Sequence, residues 1–150
     1  EPLEYNYQKL KKNYELNNSS KNHIIHKLAL SDQQGDGYIH FKDIKDENAG
    51  GATLDKTRNI NDTQSKKIKI ERLDDLYKFK NENIFIKIDV EGFEKQVIKG
   101  AIDNLKNNKI LMYLETEDPE LLSYMQKLNF KILYPHFREN KYNSKTHKNF

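Results

Sequence analysis

The stretch NIFIKIDVEGFEKQVIKGA, Asn83 to Ala101, decides how the rest of the chain is read. Ile84 to Val90 is nearly continuously apolar, which predicts a strand covered on both faces. Behind it Phe93, Val97, Ala101 and Leu105 fall in one row at helical spacing, with Ile98 and Ile102 beside them. Between strand and helix, Lys87, Asp89 and Glu91 occupy alternate positions, so on an extended strand they point the same way. In open parallel sheets ligands bind outside the carboxyl ends of strands, where this charged stripe lies. Two carboxylates two residues apart on a strand are about 6.6 Å apart. At an effective dielectric near 20 they repel by about 2.5 kcal/mol, which favours proton uptake by one of them. A plainer reading also stands: Asp89 pairs with Lys87, and Glu91 serves the helix N-terminus, where negative charge is favoured. Gly92 fits both, since it eases a tight turn and lets backbone approach a ligand.

Working outward, ILMYLE (Ile110 to Glu115) predicts a strand, and Leu121, Leu122, Met125 and Leu128 predict a helix. FKILY (Phe130 to Tyr134) predicts a further strand. Strand, helix, strand, helix, strand in succession argues for a parallel α/β sheet. Towards the N-terminus, Leu3, Tyr7, Leu10 and Tyr14 mark an amphipathic helix over residues 3–16. HIIHKLAL (His23 to Leu30) and YIHF (Tyr38 to Phe41) read as strands. IKIERL (Ile68 to Leu73) alternates with period two and is expected to pair with Tyr38–Phe41, with a short helix from Asp74 to Phe79. Asp43 to Lys67 is a long polar segment that reads equally as a lid over an acceptor or as an insertion with no role.

A chain of 150 residues predicts one domain with a core of its own. Only 35% of residues are hydrophobic and 33% are charged, but the apolar ones come in blocks, which argues against general disorder. The net charge of +3 is spread along the chain without a basic stripe, so no nucleic-acid partner is expected. The absence of cysteine excludes disulfides and thiolate metal sites. His23, His26, His40, His136 and His147 show no ligand spacing, so no metal is expected. No apolar run approaches the roughly 20 residues of a membrane helix and no signal peptide is visible, and a cytoplasmic location is expected.

The central stretch closely resembles the core motif of the FkbM family of S-adenosylmethionine-dependent methyltransferases: Lys-x-Asp-x-Glu-Gly-x-Glu, with Gly-Ala after the helix. Other pieces follow in family order. They are EP at Glu1-Pro2, LKKNYELNN, LALSDQQGDGYIHF, GGATL, IERLDDL and ILMYLETE. The resemblance implies an α/β, Rossmann-like class I methyltransferase fold of strand order 3-2-1-4-5-7-6, mostly parallel, with an inserted antiparallel hairpin. It implies S-adenosyl-L-methionine as cofactor and transfer to a hydroxyl of a small-molecule or glycan acceptor, such as a sugar or natural product. Carried over residue by residue, Glu1 would hold the cofactor's ribose hydroxyls, Ser31 and Asp32 would lie near the adenine, and Asp89 and Glu91 would face the sulfonium and the acceptor. Lys87, Glu94 and Glu115 also match family positions, with Lys87 counted among the catalytic residues.

The family's glycine-rich cofactor loop is missing: GDG at Gly35 to Gly37 is expected in a hairpin turn, not between strand and helix. Since the chain opens on Glu1, it reads as a partial domain lacking the first strand and most of the second, and inactive by itself. Two readings of other classes stay open beside the enzyme. One is a non-catalytic binding or interaction module that keeps the fold, and the other a small RNA-binding protein resting on lysine content alone.

Overall fold

A computed structural model of the chain describes residues 1–17, 23–41, 52, 54 and 64–133. By its internal contacts the chain falls into two compact units, Glu1–Glu117 and Asp118–Phe150. The first unit runs α1 (Glu4–Leu16), β1 (Ala29–Leu30), β2 (Gly35–Phe41), β3 (Gln64–Glu71), α2 (Leu73–Leu76), β4 (Asn83–Ile88), α3 (Glu94–Lys99), α4 (Ile102–Asn107) and β5 (Lys109–Leu114). The second contains α5 (Pro119–Lys127). No helix among the described residues is long and apolar enough to cross a membrane.

The strands form two sheets. One has the order β1-β3-β2 and is mixed: β3 runs parallel to β1 and antiparallel to β2. The antiparallel pairing expected from the sequence is present, in a longer register than the alternation alone indicates. Tyr38–Phe41 oppose Gln64–Lys67, while Ile68–Ile70 oppose Gly35–Gly37. Two expectations are thereby corrected. The GDG triplet lies inside β2 rather than in a turn, and residues 64–67 belong to β3 rather than to the preceding polar segment. Gly35 takes a φ of 146°, open to glycine, and a Cβ at Gly37 would overlap the Ile70 side chain. The strand expected from His23 shrinks to Ala29–Leu30.

Leu3, Ala29, Ile39, Phe41 and Ile68 are buried together as one core, with Ala52, Leu54 and Ile70 packed against it. Ala52 and Leu54 come from the GGATL motif, so part of the long segment seats on the core; its remaining residues lie outside the described ones, as does the polar tail after residue 133. Helix α1 forms where the periodicity predicts, but Leu10 is 45% exposed and no residue within the helix is fully buried.

The second sheet pairs β4 with β5 in parallel, Asn83 opposite Lys109 through Ile88 opposite Leu114. Strand β4 is not covered on both faces, contrary to expectation. Phe85 and Leu111, register partners, are each 66% exposed, and Tyr113 on the same face is 50% exposed. A short apolar run cannot reveal by itself whether one face or two are covered. The helix behind β4 is also two helices rather than one. Gly100 and Ala101 interrupt it, and Val97, Ile98, Ala101 and Leu105 are buried across the break.

In the second unit, Asp118 caps α5 by accepting the Glu120 N–H at 2.9 Å, with Pro119 in the first turn. The strand expected at Phe130–Tyr134 is absent over residues 130–133. There the Phe130 N–H bonds back to the Met125 carbonyl at 3.1 Å, extending the helix cap instead of starting a ladder.

Candidate functional site

Strand β4 ends at Ile88, and the Glu115 N–H donates to the Ile88 carbonyl at 3.1 Å, which fixes the carboxyl ends of β4 and β5 together. The strand alternation therefore stops before Asp89. Lys87, Asp89 and Glu91 do not share one extended face, and the spacing behind the repulsion estimate does not reach Glu91. The reason lies in the next two residues: Glu91 has φ 53° and Gly92 φ 94°, consecutive left-handed conformations that turn the chain sharply into α3. For glycine this is ordinary; for glutamate it costs on the order of 1 kcal/mol and is found mainly where the surroundings impose it.

Lys87 Nζ donates to Asp89 Oδ2 at 2.7 Å, with both side chains partly exposed. The hydrogen bond it donates to Asp89 holds the pKa of the Lys87 amine above its ordinary value, and the charges of Asp89 and Glu115 act the same way. Because that value is raised, the lysine's contribution to the pair is present below its ordinary value and is lost as the pH climbs through the raised one. So the pairing half of the plainer reading is present. The acidic residue in the first turn of α3 is Glu94 rather than Glu91. Glu94 is buried and accepts the Gly92 N–H at 2.9 Å, holding the turn from the helix side.

Ser31 and Asp32 follow β1. Ser31 is 5% exposed; its N–H donates to the Glu71 carbonyl at 2.9 Å and its Oγ to Asp32 Oδ1 at 3.1 Å. Their backbone lies directly against Gly100, at the end of α3. The segment Asp89–Gly100 thus begins at one pair of sequence-predicted residues and ends at the other.

Glu1 sits against the segment that leads into Ser31. Its Oε1 accepts the Leu3 N–H at 3.0 Å, and its nitrogen donates to the His26 carbonyl at 3.2 Å. It edges a mostly apolar cleft of about 570 Å³ that includes Leu10, Leu28, Leu73 and Tyr77. Ser31, Asp32, Asp89 and Glu91 do not line that cleft. Within it His26 Nε2 and the Tyr77 hydroxyl share a hydrogen bond of 2.6 Å, and Tyr77 stacks on Phe79. Sequence reading missed this pair, 51 positions apart, because no local spacing announces it.

A second feature it missed ties α2 to the start of α4. Asp74, from the LDDL segment, is 5% exposed. Its carboxylate accepts the Asp103 N–H at 2.9 Å, the Asn104 N–H at 3.0 Å and the Asn104 side-chain amide at 2.8 Å. These bonds satisfy the otherwise orphaned donors at the start of α4. Asn104 in turn bonds the Tyr77 carbonyl and the Phe79 N–H, and Asn108 bonds the Phe79 carbonyl and the Glu82 N–H. Together they hold the connection into β4. An acidic residue just inside a short helix was visible in the sequence; its partners about 30 residues on were not.

Among the described residues no cluster of metal-ligating side chains is found. What the turn after β4 offers is a partly exposed carboxylate, Asp89, oriented by a lysine, beside a strained glutamate at the carboxyl end of a parallel strand pair. That arrangement can accept a proton and can face a cation.

Comparison with known proteins gives no match among curated proteins and none among solved structures. A family model does match: the methyltransferase FkbM domain, over residues 1–132. Since that covers most of the 150 residues, from Glu1 through both sheets and past α5, the chain belongs to the FkbM methyltransferase family.

Proposed function

We propose that this protein transfers a methyl group from S-adenosyl-L-methionine to a hydroxyl of a small-molecule or glycan acceptor, a sugar or natural product. The family match carries the reading. In the class I order two further strands separate the third from the fourth. The separate sheets found here, β1 in one and β4-β5 in the other, are compatible with that order.

The residues present suit the cofactor chemically. Carboxylates at Glu1, Asp89 and Glu91 match hydroxyl donors and a positive charge, and the buried Ser31 with Asp32 supplies hydrogen-bonding groups for a ring edge. Bound there, the cofactor would supply a methyl group on a positively charged sulfur, which would keep the carbon–sulfur electron pair when the acceptor oxygen takes the methyl. The protein's own part is to hold the reacting atoms in line, which by itself can provide most of the acceleration. Asp89 takes the hydroxyl proton as the oxygen attacks, acting as general base. Lys87 holds that carboxylate in place, Glu91 faces the sulfonium and the acceptor, Glu1 binds the ribose hydroxyls, and Ser31 and Asp32 flank the adenine. The long polar segment Asp43–Lys67 is the part of the chain proposed to contact the acceptor.

Calorimetry on the protein as its gene encodes it tests the reading. We expect saturable binding of S-adenosylmethionine; no binding at millimolar cofactor would sink it.

A further inference from the structure

We propose that Gly100 is a positioning residue for the cofactor: it sets the place of the Ser31–Asp32 turn and thereby the fit of the adenine ring. The inference rests on the reading just given. Gly100 has φ −76° and ψ −4°, a right-handed helical conformation open to any residue. Its glycine is therefore not explained by backbone freedom. Space explains it. A Cβ at this position would overlap the Ser31 carbonyl oxygen and would lie 2.7 Å from the Ser31 carbonyl carbon and 3.3 Å from the Asp32 Cα. All three are backbone atoms, which cannot rotate out of the way as a side-chain tip can.

The two sides of this contact are not equally held. Gly100 is gripped from both directions: its N–H donates to the Gln96 carbonyl at 3.0 Å, and its own carbonyl accepts the Asp74 N–H at 3.0 Å. Asp74 is itself locked by its bonds to the start of α4. Across the contact, the Ser31 backbone is tied by one bond, to the Glu71 carbonyl. An added methyl group would therefore displace the Ser31–Asp32 turn rather than Gly100. Helix α3, six residues and about 9 Å long, starts after the Glu91–Gly92 turn and ends at this contact. It acts as a strut that fixes the spacing between the proposed adenine end and the proposed methyl-transfer end.

The test compares the wild-type protein, as its gene encodes it, with Gly100→Ala. The probes are S-adenosylhomocysteine and its analogue carrying hypoxanthine in place of adenine. We expect Gly100→Ala to weaken S-adenosylhomocysteine binding by about tenfold to a hundredfold, the scale of an ångström-sized misplacement. We also expect the preference for adenine over hypoxanthine to shrink and the acceptor KM to stay unchanged. Weaker binding with an unchanged base preference would reduce Gly100 to a structural role and overturn the proposal. So would unchanged affinity, while leaving the cofactor reading intact. Failure of the wild-type protein to bind S-adenosylhomocysteine would overturn both. Should Gly100→Ala not fold, hydrogen exchange on the wild type decides instead. Ligand must slow exchange at Asp32 together with Gly100 and Ala101, and protection of Asp32 alone overturns the proposal.

Discussion

Two aspartates of the same unit show how differently one side chain can be used. Asp74 is buried, and both its oxygens are occupied by donors from α4, with Arg72 at 3.8 Å. Asp89 keeps a side chain 39% exposed and a single lysine partner. The first has no capacity left for a substrate, and the second retains acceptor positions facing outward. The difference teaches that these two carboxylates divide by connectivity. Asp74, with several donors, builds the frame, while Asp89, with one partner, keeps acceptor capacity.

The comparison can be broken most forcefully at Asp89. Asp89→Asn should lower the methyl-transfer rate by about 10²- to 10⁴-fold, the range of a lost general base, with the thermal midpoint unchanged. A variant that keeps its rate would move the chemistry to another group. At Asp74 the outcome should be reversed in kind. Asp74→Ala leaves the Asp103 and Asn104 donors without partners and should destabilise the protein by about 3 kcal/mol in chemical unfolding. A loss below the error of that measurement would show that water replaces the carboxylate easily. Glu91 sharpens the division further. Because glutamate holds a φ of 53° here, Glu91→Gly should raise stability by roughly 1 kcal/mol while lowering turnover. If stability falls instead, Glu91 contributes more through its contacts than its backbone costs.

Much of the frame was legible because it rests on local periodicity. The strands around Ile86 and Leu111, helix α1, and the pairing of Tyr38–Phe41 with the following strand follow from alternation and helical spacing. Where reading went astray, the deciding contact was distant or the pattern ambiguous. Nothing within a few residues of Gly100 indicates that the Ser31 backbone comes against it, yet that contact explains a glycine where the row from Phe93 to Leu105 predicts unbroken helix. Apolar residues from Ile84 to Ile88 could not tell one covered face from two. The charged triplet was visible as a feature, but its geometry depended on two left-handed residues, and only Gly92 announces such a turn in sequence. The Asp74 hub and the His26–Tyr77 bond join positions tens of residues apart and leave no local trace.

Strand β4 uses one edge on β5, and among the described residues no other strand pairs with it. Along the other edge, no strand among the described residues takes up the β4 backbone groups that point away from β5, beside a face carrying Phe85 and Leu111. An edge of this kind is indifferent to which extended chain adds to it. For a polypeptide still being synthesised, the hazard is therefore one of timing: the edge is open to a neighbouring unfolded chain for as long as nothing pairs with it.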